Sequence, residues 1–291
     1  MQALAYHLKT LTLQNNEGSY ATRSQRHAGL QLIARELDAM GYKLPSAQSL
    51  KPKHIEALLG RWRAQGVTAG TLKNRMAWVR WWAGKVRRGS VGPKLNTPLD
   101  IPARTAWKGN KAHVTTDRMA ALPDWMQTAL KLQMAFGLRL EESLKIRTDI
   151  ADKGDYLSLK ASWCKGGRAR AVPVAHLRQR ALLDALRKAG GAVIPAGMTY
   201  IEARKALEFA TWGAGIRNMH GHRHWYAQWR YQTLTGAPSP AAGGKTHERM
   251  NAAERAADYR ARMTISRELG HGRMDVTDIY LGRRFATKAG A

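Results

Sequence analysis

Helical periodicity runs through most of this chain and changes to strand-like alternation in one short stretch. In the first 90 residues, apolar residues recur at spacings of three and four, which predicts helices over 23–40, 52–65 and 69–86. Residues 156–159 and 169–174 instead alternate or are rich in β-formers, and Gly166-Gly167 between them predicts a hairpin turn. The predicted inward positions of the three N-terminal helices are Leu30, Ile33, Leu37, Met40, Ile55, Leu58, Leu59, Trp62, Leu72, Met76, Val79 and Trp82. The predicted fold class is therefore mainly α, with an N-terminal helical domain and a mixed α+β second domain that carries a small antiparallel sheet.

A basic stretch that contains proline and glycine separates the two predicted domains. Residues 89–111 hold three prolines and three glycines and lose the helical pattern, which is typical of a linker. We expect a helical N-terminal domain over 1–90, a basic linker over 91–112 and a second domain over 113–291. The second domain is predicted to hold helices near 116, over 124–136, from about 140, and over 176–188, 200–212, 220–234, 252–269 and 275–281. The small-residue stretch 235–245 predicts a mobile loop.

The charge of the chain indicates a polyanionic partner. There are 48 Lys and Arg residues against 21 Asp and Glu, a formal net charge of +27, and such a field favours nucleic acid. A generally adhesive or ribosome-associated basic protein is the alternative. Basic residues on and just after helix 69–86 are candidate DNA contacts, although a solvated basic face would have the same composition. These candidates are Lys73, Arg75, Arg80, Lys85, Arg87 and Arg88. The neighbouring Trp78, Trp81 and Trp82 favour packing between helices over stacking on bases.

Several other classes of protein are disfavoured. No stretch approaches the roughly 20 apolar residues of a membrane-spanning helix, and the N-terminus lacks the apolar segment of a signal peptide. Cys164 is the only cysteine, so the chain cannot form an internal disulfide, which fits a reducing compartment. We therefore expect a cytoplasmic, DNA-associated protein with no membrane partner.

Four short segments of the second domain carry residues suited to chemistry on a phosphate. The first follows a predicted helix end, the second is the predicted hairpin turn, and the third begins a predicted helix. The last joins a Leu-Gly-His turn to a tyrosine nine residues later. Singly, these residues have ordinary explanations: a surface ion pair, a solvated turn, a helix cap and a half-buried aromatic. The residues are Arg139 within Gly137-Leu-Arg-Leu-Glu-Glu142, Lys165, His220 with Arg223 and His224, and His271 with Tyr280.

Together, and in this order, the segments resemble the motifs of the tyrosine recombinase or phage integrase family. That family carries an Arg in a GLR-x-x-E motif, a Lys in a β-hairpin, an H-x-x-R-H motif, an LGH motif and a Tyr nine residues after that His, and this sequence has all five. The resemblance covers the second domain, and the helical N-terminal domain is similar to the family's core-binding domain. It implies a site-specific DNA recombinase that cleaves and religates DNA through a 3′-phosphotyrosyl intermediate, for integration or excision of a mobile element.

The resemblance also implies a role for each residue. Arg139 and Arg223 would hold the phosphate and offset the charge that grows in its transition state. Tyr280 would be the nucleophile. Since a phenol titrates at about 10, it needs a base, and the resemblance assigns that role to His220.

The remaining steps require no cofactor. Lys165 would protonate the departing 5′ oxygen, and His271 would donate a hydrogen bond to a nonbridging oxygen. The sequence has no G-x-x-x-x-G-K-[ST] loop and no carboxylate cluster for Mg²⁺, so neither a cofactor nor a metal is expected. The resemblance implies duplex DNA as substrate, a tetramer on DNA, and accessory DNA-bending or directionality proteins as further partners.

Other interpretations remain open. A type IB topoisomerase would use similar residues to relax supercoils, and a catalytically silent protein would bind DNA without cleaving it. The histidines at 220, 222 and 224 have a spacing that zinc ligands use, but no Cys or carboxylate partner is evident. Cys164 is either a redox handle or a bystander beside Lys165.

The sequence departs from the compact family pattern in two places. The segment 235–261 is longer than usual and is a candidate contact to DNA or to a partner. The 11 residues after Tyr280 are few for a full helix, which argues against the cyclic exchange of C-terminal segments between subunits.

Overall fold

The computed structural model describes residues 3–102 and 109–284 and divides the chain into two compact units, Met1–Thr105 and Ala106–Ala291. Part of the predicted linker and the short tail beyond residue 284 lie outside the described residues. The predicted fold class is confirmed, because both units are mainly helical and the second carries a two-stranded antiparallel sheet. Within the described ranges, no helix is both long enough and apolar enough to cross a membrane.

The helices of the first unit enclose one apolar core. They are α1 (Ala3–Gln14), α2 (Tyr20–Ala39), α3 (Pro52–Ala64) and α4 (Ala69–Lys85). Ser19 and Thr68 begin α2 and α4 with side chains that accept a hydrogen bond from the backbone three residues on, which satisfies a donor that a helix start leaves open. All the predicted inward positions are buried except Met40, which is half-buried at the end of α2. Helix α1 was not predicted from the sequence, because its apolar stripe is short; it buries Leu4 and Leu8.

The tryptophans of the first unit pack between helices. Trp62 and Trp82 are fully buried. Trp82 donates its ring N–H to the carbonyl of Ala47 at 2.8 Å, so this buried donor is satisfied. Trp78 packs so closely over Gly29 of α2 that a side chain at that position would clash with the indole. The indoles therefore belong to the helix contacts that the sequence favoured for them.

The second unit is built around α11. Its helices are α5 (Thr116–Met119), α6 (Asp124–Phe136), α7 (Leu140–Lys145), α8 (Thr148–Ala151), α9 (Leu177–Lys188), α10 (Tyr200–Gly213), α11 (Gly221–Thr235), α12 (Ala252–Glu268) and α13 (Asp278–Leu281). Strands β1 (Tyr156–Leu159) and β2 (Arg170–Pro173) pair antiparallel, with Leu157 opposite Val172, and these two side chains lie in the core. Helix α11 packs against α6, α12 and α13, so three other elements meet its faces.

Two connections of the second unit differ from what their composition suggested. The strands are joined by residues 160–169, which form 3₁₀ turns over Ala161–Trp163 and Lys165–Gly167 rather than one tight Gly-Gly turn. The stretch 235–245, predicted as a mobile loop, contains the fully buried Ser239 and a 3₁₀ turn at Pro240–Ala242. That turn packs against Gly282, where a Cβ would lie 2.7 Å from the backbone nitrogen of Ala241. Close backbone packing therefore orders a stretch whose Gly and Pro content indicated only a loop.

Candidate active site

Arg223 lies at the centre of the candidate active site. It is in the first turn of α11, and only 1% of the residue is exposed. Its Nη1 donates to the carbonyl of Gly137 and its Nη2 to the carbonyl of Leu269. Both carbonyls are at helix ends, of α6 and α12, where backbone acceptors lack partners within the helix and the helix dipole is negative. Burial lowers the pKa of Arg223 to about 10, so the guanidinium is still cationic at neutral pH.

Gly137 fixes the path of the chain into Arg139. Its φ of 60° ends α6 in the left-handed region, and a Cβ there would lie 2.5 Å from the ring of Tyr226, so the turn suits only glycine. Arg139 then begins α7, and its backbone N–H donates to Glu142 Oε2 at 2.6 Å. The Arg139 side chain, 20% exposed, donates to Glu142 Oε1 at 2.8 Å and to Leu269 O at 3.3 Å. The two guanidiniums at positions 139 and 223 thus share one backbone carbonyl.

The end of α12 supplies that carbonyl and also places His271. Gly270 has a φ of 70°, and the N–H of His271 donates to the carbonyl of Ser266 at 2.9 Å, which is a Schellman ending. The carbonyl of Leu269 is left for the two arginines. His271 Nε2 lies 3.2 Å from Arg223 Nη2. Because a guanidinium has only donors, His271 accepts there with its lone pair and carries its proton on Nδ1.

The Tyr280 hydroxyl lies within hydrogen-bond distance of three of these side chains. It is 3.3 Å from His220 Nε2, 3.3 Å from His271 Nε2 and 3.4 Å from Arg223 Nε. Tyr280 is 4% exposed, and its ring centroid is 4.6 Å from that of His224. Arg223 donates to the phenolic oxygen, and the lone pair of His271 Nε2 already accepts from Arg223, so the phenolic hydrogen is best placed to point at His220. A phenol between one cation and two imidazoles is arranged to lose its proton.

The two imidazoles beside Tyr280 are neutral at neutral pH. Desolvation, then the charges of Arg223 and Arg139, lower the pKa of His220 to about 4 and that of His271 to about 3. His220 is exposed as a residue, but its ring lies 5.8 Å from that of Tyr280, where contact with other rings replaces part of its hydration. A neutral imidazole has a lone pair, so His220 can accept the phenolic proton.

A buried carboxylate holds Arg139 in place with the help of Arg170, a residue that sequence reasoning missed. Glu142 is fully buried, and Arg170 of β2 donates to both of its oxygens, at 2.7 and 2.6 Å. Burial opposes the ionisation of Glu142, but hydrogen bonds and charge from Arg170, together with Arg139, outweigh it and lower its pKa to about 2. Arg170 Nε also donates to Glu268 O at 2.7 Å, so β2 is tied to both α7 and α12. The signal available in the sequence was an arginine within an otherwise apolar strand pattern.

The helix that carries Tyr280 is one turn long, and side chains from α11 and α12 set its position. Such a short helix leaves most of its backbone groups without partners of their own. Gln228 Nε2 donates to the carbonyl of Tyr280 at 3.0 Å. Arg262, fully buried, donates to the Asp278 carboxylate at 3.0 Å and to the carbonyl of Gly282 at 3.1 Å. The chain is therefore held on both sides of Tyr280.

The structure brings five of the six predicted catalytic residues together and leaves Lys165 apart. Hydrogen bonds join Arg139, His220, Arg223, His271 and Tyr280 directly or through the carbonyl of Leu269. Lys165 is exposed on the connection between the strands, and among the described residues its side chain has no hydrogen bond or ion pair. The adjacent Cys164 is buried and accepts a hydrogen bond from Arg170 at 3.4 Å, so the base of this connection is anchored to the site. The individual roles of the six residues stay predictions.

The predicted DNA contacts of the first unit fall into two groups. Three of them are engaged within that unit, where Arg75 pairs with Glu36 at 3.3 Å, Lys85 pairs with Glu17, and Arg80 donates to the carbonyls of Pro93 and Leu95. The others have no side-chain hydrogen bond or ion pair in the described part of the chain, which leaves their charges more available to a phosphate. They are Lys73, Arg87 and Arg88. A role in DNA binding stays a prediction for all six.

The histidines at the start of α11 point in different directions. The rings of His220 and His224 lie edge-on with centroids 5.5 Å apart, whereas His222 turns away and its Nε2 pairs with Thr115 Oγ1 at 2.9 Å. Within residues 3–102 and 109–284, no three His, Cys, Asp or Glu side chains are grouped as metal ligands would be.

Comparison with known proteins finds relatives of both units. Residues 1–89 match the family described as "Phage integrase, N-terminal". The tyrosine recombinase XerC of Methylobacterium nodulans is 29% identical over 176 residues, which are 54% of this chain and 53% of that protein. XerC of Methylobacterium sp. (strain 4-46) is 29% identical over 178 residues, again 54% of this chain and 53% of the relative. The chain spans about half the length of the curated relatives it matches.

Solved structures show the same fold. A lambda integrase (75–356) dimer bound to a COC′ core site matches with a TM-score of 0.63 at 15% identity, over 99% of this chain and 98% of that one. XerH bound to a palindromic difH substrate matches with a TM-score of 0.53 at 12% identity, over 96% and 91% of the two chains. The fold is therefore that of the integrase-type recombinases. The XerC relatives and the N-terminal match confirm the resemblance to the tyrosine recombinase family that was seen in the sequence.

Proposed function

We propose that this chain is a site-specific DNA recombinase that cleaves one strand of duplex DNA with Tyr280 and then rejoins it to another. The observation that carries the proposal is the contact of one phenolic oxygen with two neutral imidazoles and a buried guanidinium, at 3.3 to 3.4 Å. A phosphate beside Arg139 would meet a nucleophile that is already hydrogen-bonded to its base.

The charge around Tyr280 favours an anion. Arg139 and Arg170 share the fully buried carboxylate of Glu142, and Arg223 adds a third positive charge beside Tyr280, so the positive charge exceeds the negative charge at this point. Arg223 already donates to two carbonyls, whereas Arg139 is partly exposed and keeps N–H donors that have no acceptor among the described residues. We therefore assign the first contact with the phosphate to Arg139. The role of the buried Arg223 is to stabilise charge on the reacting oxygens.

The proposed reaction transfers a phosphoryl ester from DNA to the protein and back. The oxygen of Tyr280 attacks phosphorus, its proton passes to Nε2 of His220, and the bond from phosphorus to the 5′ oxygen breaks. Lys165 protonates that leaving oxygen, and His271 would donate to a nonbridging oxygen once its tautomer changes. The products are a 3′-phosphotyrosyl bond and a free 5′ hydroxyl. Attack by a 5′ hydroxyl of another strand reverses the steps, and because one ester replaces another the exchange needs no nucleotide cofactor.

Strand exchange between two duplexes requires several cleaving subunits. A lambda integrase tetramer bound to a Holliday junction matches this chain with a TM-score of 0.55 at 17% identity, over 78% of this chain and 68% of that one. We propose double-stranded DNA as the partner and the same tetrameric assembly for this chain. Integration or excision of a mobile element, with accessory DNA-bending or directionality proteins, is the setting that we propose for the reaction.

The test is to trap the covalent intermediate. The full chain is incubated with duplexes that have a randomised centre and a nick, so that cleavage beside the nick releases a short strand and prevents religation. DNA that stays attached after denaturation with detergent is sequenced to obtain the target, and peptide mass spectrometry locates the attachment point at Tyr280.

Tyr280→Phe should bind the recovered duplex with unchanged affinity and form no adduct. Tyr259→Phe is the matched control, because Tyr259 is exposed on α12 and should be dispensable. An adduct in Tyr280→Phe would show that another residue is the nucleophile. Tight binding without an adduct in the unchanged chain would favour a silent DNA-binding protein, and plasmid relaxation without recombinants would favour a topoisomerase.

A further inference from the structure

The chain enters the second unit through a turn that docks on α11 beside the active site. This docking turn consists of residues 110–113. Asn110 Oδ1 accepts the N–H of Ala112 at 2.9 Å, a side-chain turn that fixes the local backbone. His113 and the carbonyl of Lys111 lie so close to Gly221 that a side chain at Gly221 would clash with both. Since Gly221 directly follows His220, the docking turn packs against the start of the helix that carries the proposed base.

Gln228 connects the docking turn to the helix of Tyr280. It lies two turns after Gly221 on α11, and its Nε2 donates to Asn110 Oδ1 at 2.8 Å and to the carbonyl of Tyr280 at 3.0 Å. Its Oε1 accepts from Asn110 Nδ2 at 3.4 Å. Both amide hydrogens are therefore used, one on the docking turn and the other on the backbone of the nucleophile.

The carbonyl of Tyr280 is a sensitive point at which to hold the nucleophile. It is near the end of α13, where the helix provides no partner for it. Any shift of this carbonyl turns the peptide plane and with it the direction of the Tyr280 side chain. The phenolic oxygen is 3.3 Å from each imidazole, and a misplacement of about 1 Å can cost roughly 100-fold in rate.

We propose that Gln228 is a positioning residue that couples the docking turn to Tyr280. The docking turn is the first described stretch of the second unit, so its position on α11 sets the position of the nucleophile. This inference rests on the proposed function. The proposed role of Gln228 differs from that of a simple helix cap, because a cap would hold Tyr280 in the same way whether or not Asn110 were present.

Two changes separate the two contacts of Gln228. Gln228→Glu keeps the size of the side chain but removes the two hydrogen bonds that Nε2 donates to Asn110 and Tyr280. A carboxylate oxygen, which can only accept, then faces the carbonyl of Tyr280. Asn110→Ala removes the contact to the docking turn and leaves the bond to Tyr280 possible. Gln232→Glu is the matched control, since it makes the same change one turn later on α11 at an exposed position.

The first measurement is single-turnover cleavage of the trapped duplex at saturating protein. We expect Gln228→Glu to slow adduct formation about 10-fold or more with Kd changed less than about twofold, and Gln232→Glu to behave as the unchanged chain. We expect Asn110→Ala to slow cleavage in the native background. In the Gln228→Ala background the same change should cause no further slowing, because the effect of Asn110 on Tyr280 passes through Gln228. Equal slowing by Asn110→Ala in both backgrounds would overturn the coupling, and so would slowing that merely follows weaker DNA binding.

The second measurement uses the full chain without DNA. Hydrogen exchange at residues 278–284 should be faster in Gln228→Glu and in Asn110→Ala than in Gln232→Glu, because both changes release the helix of Tyr280. Unchanged exchange in both variants would overturn the inference. If the unchanged chain formed no adduct, the proposed function would fail, whereas the exchange result would still decide whether the docking turn and the nucleophile helix are coupled.

Discussion

Replacing Glu142 by glutamine removes the one fully buried negative charge that faces Arg139 and Arg170. Glutamine keeps the size of the side chain, but its amide brings hydrogens toward guanidinium hydrogens. The pKa of Glu142 falls from 4.5 to about 2 on folding. Each pKa unit corresponds to about 1.4 kcal/mol, so ionisation of Glu142 stabilises the second unit by about 3 kcal/mol at neutral pH. Removal of one partner from a buried ion pair costs about 3–5 kcal/mol, which is the same magnitude.

The effect of Glu142→Gln should depend on pH. Because the folded pKa is below the unfolded one, the stabilisation is complete above about pH 4.5 and is lost as the pH falls toward about 2. The unfolding free energies of the two proteins should therefore differ by about 3 kcal/mol at pH 7 and by only about 1 kcal/mol near pH 3.

The assay is urea unfolding. At each urea concentration, proteolysis followed by mass spectrometry measures how much of residues 109–284 is unfolded, separately from the first unit. Glu141→Gln is the matched control, because the Glu141 side chain is partly exposed and pairs with Lys145 at the surface, so its replacement should cost less than about 0.5 kcal/mol. A loss below about 1 kcal/mol for Glu142→Gln at pH 7, or the same loss at pH 3 and pH 7, would refute the reasoning.

Three further results are expected. Arg139→Ala and Arg223→Ala should each slow single-turnover cleavage at least about 100-fold. Arg139→Lys should restore little of the rate, because an ammonium lacks the forked donors of a guanidinium. Slowing by less than about threefold in either alanine variant would contradict the role assigned to that arginine. Cleavage should be level from neutral pH down to about 5 and should fall as His220, with its pKa of about 4, gains a proton. A fall that begins near pH 6.5 would mean that His220 is not the base or titrates normally. Gly137→Ala forces a side chain into a positive φ and against Tyr226, so urea unfolding should show a loss of about 1–3 kcal/mol, and no loss would mean that the turn relaxes freely.

The sequence predicted helices best where a long apolar stripe ends at a glycine. Helix α6 was predicted over 124–136 and is observed at Asp124–Phe136, because Gly137 terminates it through a positive φ that other residues resist. Helix α1 has too short a stripe to be recognised alone, and its burial of Leu8 depends on packing against α2. The connection between the strands was predicted as a tight turn because two glycines suggested one, whereas Cys164 is buried and lengthens the path.

The candidate site was predictable only as far as motif residues mark it. Motif spacing identified Arg139 and Tyr280, but it could not show that a carbonyl lies between the two arginines. Arg170 and Gln228 were missed because each is defined by a partner distant in the sequence, the carboxylate of Glu142 and the carbonyl of Tyr280. Tertiary contacts of this kind leave no periodic signal in the chain.

The carbonyl of Leu269 gives the site an anchor that belongs to the backbone and not to the Leu269 side chain. Its direction depends on where α12 stops, and a helix turns by about 100° per residue. Loss of one residue from α12 would swing this oxygen away from Arg139 and Arg223 together, whereas a new side chain at position 269 would leave it in place. The number of residues in α12 therefore matters more to the site than the identity of most side chains on its surface. Insertions or deletions in α12 would disrupt the site more readily than surface substitutions.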